Sequence, residues 1–107
     1  MAKLRFHDLT ISAVRVDTAS SVELSFDIPA ALVSDFVFEP GQYLTLRAVV
    51  DGQDLRRSYS ICSPLGASQL SVGIKQIEGG AFSSFALSLQ PGDVVQVMPP
   101  QGRFTAP

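Results

Sequence analysis

Apolar and polar residues alternate along most of this chain. Residues 9–16, Leu-Thr-Ile-Ser-Ala-Val-Arg-Val, do so with a period close to two. That period sends successive side chains to opposite faces of an extended backbone, so it predicts a half-buried strand. Residues 22–28 repeat the pattern and run into Pro29. A third strand covers residues 42–49 after the Pro40-Gly41 turn, and Asp51-Gly52 marks a tight turn. A fourth strand then covers about residues 55–62 and stops at Ser63-Pro64. Residues 70–77 form a fifth, and Gly73 inside it points to close approach of a ligand or another backbone. After Gly79-Gly80 the spacing changes. Phe82, Phe85, Ala86 and Leu89 share one face of a helix predicted over residues 81–89, which Pro91-Gly92-Asp93 ends. A last strand over residues 94–98 runs into Pro99-Pro100. Residues 30–38 are expected to make a surface excursion whose apolar side chains pack back on the body.

Several short, evenly spaced strands with one helix predict an all-β domain, a closed barrel or a sandwich. The chain has 107 residues, 46% of them hydrophobic and 17% charged, which fits one globular domain. A formal net charge of -2 argues against a nucleic-acid partner, which selects for a basic surplus. No apolar run is long enough to span a bilayer, and no signal core follows the first residues, so a cytoplasmic protein without a membrane partner is expected. Cys62 is the one cysteine, which rules out an internal disulfide and suits a reducing compartment. His7 is the one histidine. One histidine and one cysteine make no metal site; His7 is expected at the surface and Cys62 as a small buried apolar residue.

Two local patterns carry chemistry. In Arg57-Ser58-Tyr59-Ser60, strand alternation sets Arg57 and Tyr59 on one side, a fixed cation beside a flat ring. A ligand that joins an anionic group to a planar ring system can use both, and Ser60 adds a hydroxyl. In Gly79-Gly80-Ala81-Phe82-Ser83-Ser84, glycines and serines open the predicted helix, whose first-turn N–H groups can cradle a phosphate. Taken singly, each pattern has a plain structural reading: a solvated charge, a wall residue, a helix N-cap.

In combination these residues resemble the FAD domain of the ferredoxin–NADP reductase superfamily. The resemblance rests on Arg57-x-Tyr59-Ser60, Gly80-x-x-Ser83 at a helix start, Pro91-Gly92-Asp93 and Pro100-x-Gly102-x-Phe104, and runs over nearly the whole chain. Within it, Phe6-His7-x-Leu9-Thr10, Pro40-Gly41-Gln42, Leu55 to Cys62 and the stretch from Ile74 to Ser83 are similar to the reductase components of phenylacetyl-CoA ring-epoxidising systems. The resemblance implies a six-stranded antiparallel Greek-key β-barrel with one capping helix between strands 5 and 6. It implies that Arg57 binds the flavin pyrophosphate, Tyr59 stacks on the isoalloxazine and Ser60 approaches N5, with Tyr59 and Ser60 the catalytic pair. Backbone contacts to FAD are implied from Gly73, Ile74 and Lys75, and pyrophosphate contacts from Gly80, Ala81, Phe82 and Ser83.

The activity implied is that of an NAD(P)H-dependent flavoprotein oxidoreductase passing electrons through FAD to an iron–sulfur centre that serves an oxygenase, in phenylacetate degradation. Residues 1–107 then make the FAD-binding domain alone. NAD(P)H-binding and ferredoxin-like [2Fe–2S] domains of the same polypeptide are expected as its partners, with the oxygenase component as a further one. The chain by itself is expected to hold FAD without competent turnover. Three other readings stay open on the residues alone: a non-flavin binding module, a flavin or siderophore-iron reductase of the same superfamily, and FMN in place of FAD.

Overall fold

A computed structural model describes residues 5–18, 21–39, 41–63, 69–75 and 85–102. The alternation seen along the chain becomes two faces of one sheet. In β2 (Ser21–Asp27) Val22, Leu24 and Phe26 are buried, while the residues between them lie nearer the surface. β1 (His7–Thr18), β3 (Tyr43–Val50), β4 (Gln53–Ser60), β5 (Gln69–Lys75) and β6 (Val94–Gln101) complete the set. All neighbouring strands pair antiparallel, in the order β4-β3-β6-β1-β2-β5.

That order leaves β4 and β5 as the two edges. Among the described residues they approach through one bridge, Ile61 to Val72, with the Cys62 N–H donating to the Ser71 carbonyl at 2.9 Å. The architecture is therefore the expected antiparallel six-stranded one, curled toward a barrel but not closed along the β4–β5 seam. Leu9, Ile11, Leu24, Phe26, Leu44, Leu46, Val72 and Val97 fill its interior, each at most 1% exposed. Truncating one of the leucines to alanine costs about 2–5 kcal/mol at such sites.

The turns are made by local backbone chemistry. Asp51 and Gly52 have φ of 51° and 79°, and Val50 pairs with Gln53. Positive φ at both centres of a two-residue loop makes a type I′ hairpin, whose twist matches that of the strands. The Pro91-Gly92-Asp93 turn docks on β1: Gly92 N–H donates to the Ile11 carbonyl and Ile11 N–H to the Asp93 carbonyl, both at 2.8 Å.

Several expectations need correction. β6 does not stop at Met98 but runs through Pro99 and Pro100 to Gln101. Its pairing with β1 ends at Val97, and its pairing with β3 is irregular between Thr45 and Tyr43. Prolines are tolerated there because a bulge asks for no ladder N–H from them. Residues 30–38, expected as a surface excursion, are wound into a short 3-10 helix over Ala30–Phe36. Phe36 from that helix is buried, and its ring meets His7 edge-on at 5.8 Å, leaving His7 half-buried rather than on the surface. Of the predicted helix over residues 81–89, the described part is a helical turn at 85–88. Ala86 and Leu89 from it enter the core.

Candidate functional site

The hairpin fixes where β4 sends its side chains. Tyr59 lies opposite Leu44 and Arg57 opposite Leu46. Directly opposed residues share a face, and both leucines are fully buried, so Arg57 and Tyr59 stand on the core side of the sheet at its β4 edge. Tyr59 packs against the core and is half-buried, while the long stem of Arg57 carries its guanidinium into the open. Burial pushes the Tyr59 phenol above its usual range, and the neighbouring Arg57 charge pulls it back. The sequence pair is thus one spatial unit, a neutral ring beside a cation.

The guanidinium of Arg57 donates Nη1 to the Arg56 carbonyl at 2.7 Å and, among the described residues, meets no carboxylate. The other arginines of the sheet differ. Arg15 pairs with Glu23 at 3.3 Å. Arg47 grips Asp54 with Nε and Nη2, both at 3.0 Å, and Nη1 donates to Gln96. Arg56 adds a weaker contact to Asp54 at 3.7 Å and covers the Phe6 ring at 5.2 Å. Among the described residues, Arg57 is thus left with its charge available to an anion.

Ser60 ends β4 on the outer face, exposed, one residue from the bridge that joins β4 to β5. Gly73 is likewise one residue from that bridge, on β5. Ser60 and Gly73 therefore flank the seam together. Because the backbone of Ser71 faces β4, strand alternation turns the backbones of Gly73 and Lys75 the same way. Ile74 sends its side chain into the core at 1% exposure and its backbone toward β2. Gly80, Ala81, Phe82 and Ser83 lie outside the described residues.

Two groups at the site escaped sequence reasoning. Gln42 is a hub. Its Nε2 donates to the Gly102 carbonyl at 2.9 Å, its Oε1 accepts from the Glu39 N–H at 2.8 Å, and its own carbonyl accepts from the Ile61 N–H at 3.2 Å. Gln42 thereby ties the end of β4 to the end of β6, and the Pro40-Gly41-Gln42 motif was its signal. The second is Glu23 on β2, whose Oε2 accepts from the Cys62 thiol at 3.4 Å. Cys62 is exposed, not buried as expected, because strand alternation past the core-packed Ile61 turns it to the outer face beside Glu23. Desolvation, then the Glu23 carboxylate, push its thiol up to about 11.

Three features fit a flavin nucleotide: a guanidinium that meets no carboxylate among the described residues, a half-buried ring beside it, and open space over Gly73. The curled, unclosed six-stranded antiparallel sheet is itself the fold of a class, the FAD-binding domains of flavoprotein reductases. The chain belongs to the oxidoreductase FAD-binding domain family, which matches it over residues 9–106. It is 44% identical over 100 residues to one subunit of the 1,2-phenylacetyl-CoA epoxidase of Escherichia coli K12, covering 92% of this chain and 28% of that protein. A ferredoxin NADP+ reductase from Neisseria gonorrhoeae, solved with FAD and NADP, superposes with a TM-score of 0.80 at 22% identity, over 94% of this chain and 40% of that one. Phthalate dioxygenase reductase, described as modular for electron transfer from pyridine nucleotides to [2Fe-2S], superposes at 0.74 and 23% identity, over 95% of this chain and 32% of its own. The chain thus spans well under half the length of each. Among the described residues no helix is long and apolar enough to cross a membrane, and no three metal-ligating side chains stand together.

Proposed function

We propose that residues 1–107 are the flavin-binding domain of an NAD(P)H-dependent oxidoreductase that feeds an iron–sulfur centre serving an oxygenase, in phenylacetate degradation. The observation that carries the reading is the pairing of an unneutralised Arg57 with the Tyr59 ring at the open seam. Identity to the Escherichia coli epoxidase component supports the finer part. The NAD(P)H-binding and ferredoxin-like domains belong to the rest of such a polypeptide, and its one described cysteine, a free thiol, suits the cytoplasm.

In this reading Arg57 holds the pyrophosphate by charge-assisted hydrogen bonds, together with the backbone of Gly80, Ala81, Phe82 and Ser83. Tyr59 stacks on the ring and stays a neutral phenol throughout the working pH range. Gly73 and Lys75 offer backbone groups along the seam, with Ile74 anchoring the strand between them. Ser60 would hydrogen-bond through its hydroxyl to N5. The chemistry a bound FAD would supply is hydride acceptance and one-electron release; this chain would orient the ring and screen one face of it.

Titration of FAD into the apoprotein tests the binding claim: a visible absorbance band and saturable binding are expected, and no binding overturns it. Rapid-mixing reduction of the Ser60→Ala protein should be slowed with FAD affinity little changed; a normal rate removes Ser60 from the mechanism. Electron delivery to a phenylacetyl-CoA epoxidase oxygenase component checks the pathway assignment.

A further inference from the structure

A groove of about 370 Å³ opens on the outer face of the sheet, where β2 and β5 meet the end of β4. Arg15, Glu23, Cys62, Gly73 and Lys75 stand on its walls. The register explains why. Arg15 lies opposite Glu23, and Glu23 opposite Gly73, so the three form one row across β1, β2 and β5. Gly73 brings no side chain to the row, and nothing lies within 4 Å of where a Cβ would sit. The row is therefore open at its β5 end, beside Ser60.

Glu23 is the carboxylate of this groove. Its Oε2 accepts from Arg15 and from Cys62. Its Oε1 accepts from no group among the described residues. Arg15 offsets the charge, yet an ionised carboxylate with one oxygen free remains an acceptor and nothing else. It favours N–H donors. Lys75, exposed at the other wall, leaves the rim cationic.

We propose that Glu23 is a ligand-recognising residue, and that its free oxygen accepts the N–H edge of a planar, amide-bearing ring laid over the bare backbone of Gly73. This inference rests on the flavin reading above. Two rings in that reading carry such an edge: the imide N–H of the flavin and the carboxamide of the nicotinamide. Cys62 is the second donor on Oε2, after Arg15, so that oxygen is already engaged.

The test uses the wild-type, Glu23→Ala and Gly73→Val proteins. Each is prepared in the polypeptide that carries the NAD(P)H-binding domain; apoprotein is titrated with FAD and with riboflavin, and FAD-loaded protein with NAD+ and NADP+, each followed by absorbance changes of the flavin. If the flavin edge is the ligand, Glu23→Ala weakens FAD and riboflavin alike by about tenfold, the order expected for one hydrogen bond to a charged acceptor. If the nicotinamide is the ligand, FAD and riboflavin bind normally and the pyridine nucleotides lose about tenfold. Gly73→Val places its side chain in open space on a strand that favours β-branched residues, so it folds and should lose the same ligand that Glu23→Ala loses. Unchanged affinity for all four ligands in Glu23→Ala, or loss of a different ligand in Gly73→Val, overturns the proposal. Failure of the wild-type protein to bind FAD would instead overturn the parent reading, so the two failures are distinct.

Discussion

Replacing Arg57 with alanine separates the binding role of this residue from any structural one. In the free protein the guanidinium makes one exposed hydrogen bond, to the carbonyl of its own neighbour, and no ion pair among the described residues. Its loss should change folding stability by no more than about 0.5 kcal/mol, as at other surface positions without special contacts. Loss of charge-assisted bonds to a pyrophosphate removes about 1.5–3 kcal/mol, and the exposure of Arg57 puts the effect near the lower bound. At about 1.4 kcal/mol per tenfold, FAD should bind about tenfold more weakly. Riboflavin, which has no phosphate, should bind Arg57→Ala as it binds the wild type. Quenching of flavin fluorescence measures both affinities, and urea unfolding of the apoprotein measures stability. Arg47→Ala is the mirror control: its bidentate partner Asp54 makes it structural, so it should lose stability and keep its FAD affinity. Equal weakening of FAD and riboflavin by Arg57→Ala, or a stability loss above about 1 kcal/mol, refutes the reasoning.

Further outcomes follow from the same geometry. Gly102 has φ of +99°, and a Cβ there would lie 2.8 Å from Tyr43 Cε2, so Gly102→Ala should cost about 2–4 kcal/mol and lower Tm by roughly 10–25 °C. Gly73→Ala has free space and an ordinary strand backbone, so the same substitution there should raise stability by about 0.5–1 kcal/mol; thermal melts of the pair compare the signs. The Cys62 thiol, though exposed, should react slowly with iodoacetamide at pH 8 because its thiolate forms only near pH 11, and Glu23→Gln should speed that reaction several-fold. The Asp54 carboxyl is held below its usual value of 3.8, first by its hydrogen bond from Arg47. The stability from that pair is present above pH 3.8 and lost as pH falls through the depressed value, so Arg47→Ala should flatten this part of an acid-unfolding curve.

The strands and the Arg57–Tyr59 unit were legible from the residues alone. Hydrophobic alternation in Val22 to Ile28 announces a sheet face because strand geometry admits no other period, and Asp51-Gly52 announces its hairpin because few residues adopt positive φ. Arg57 and Tyr59 are two residues apart, so their shared side is a local fact. The extension of β6 through Pro99 and Pro100 was not legible. Prolines read as a strand end, and only the loss of the β1 partner beyond Val97 with the irregular β3 register makes them acceptable. The half-burial of His7 likewise depends on Phe36, nearly thirty residues away, arriving from a 3-10 helix.

The groove on the outer face marks the same boundary at the candidate site. Glu23 and Cys62 are separated by 39 residues and sit in patterns that mark each as unremarkable. What brings them together is the placement of β5 beside β2 and of the β4 end beside β5. Dihedral preferences and side-chain alternation act over a few residues, so the chain states them directly in its amino acids. Strand neighbours are chosen by which arrangement buries the whole apolar set at once, Leu9 through Val97, and that choice belongs to all the strands jointly. The seam, the exposed thiol and the carboxylate next to Gly73 are consequences of that joint choice, which is why the tertiary structure alone decides them.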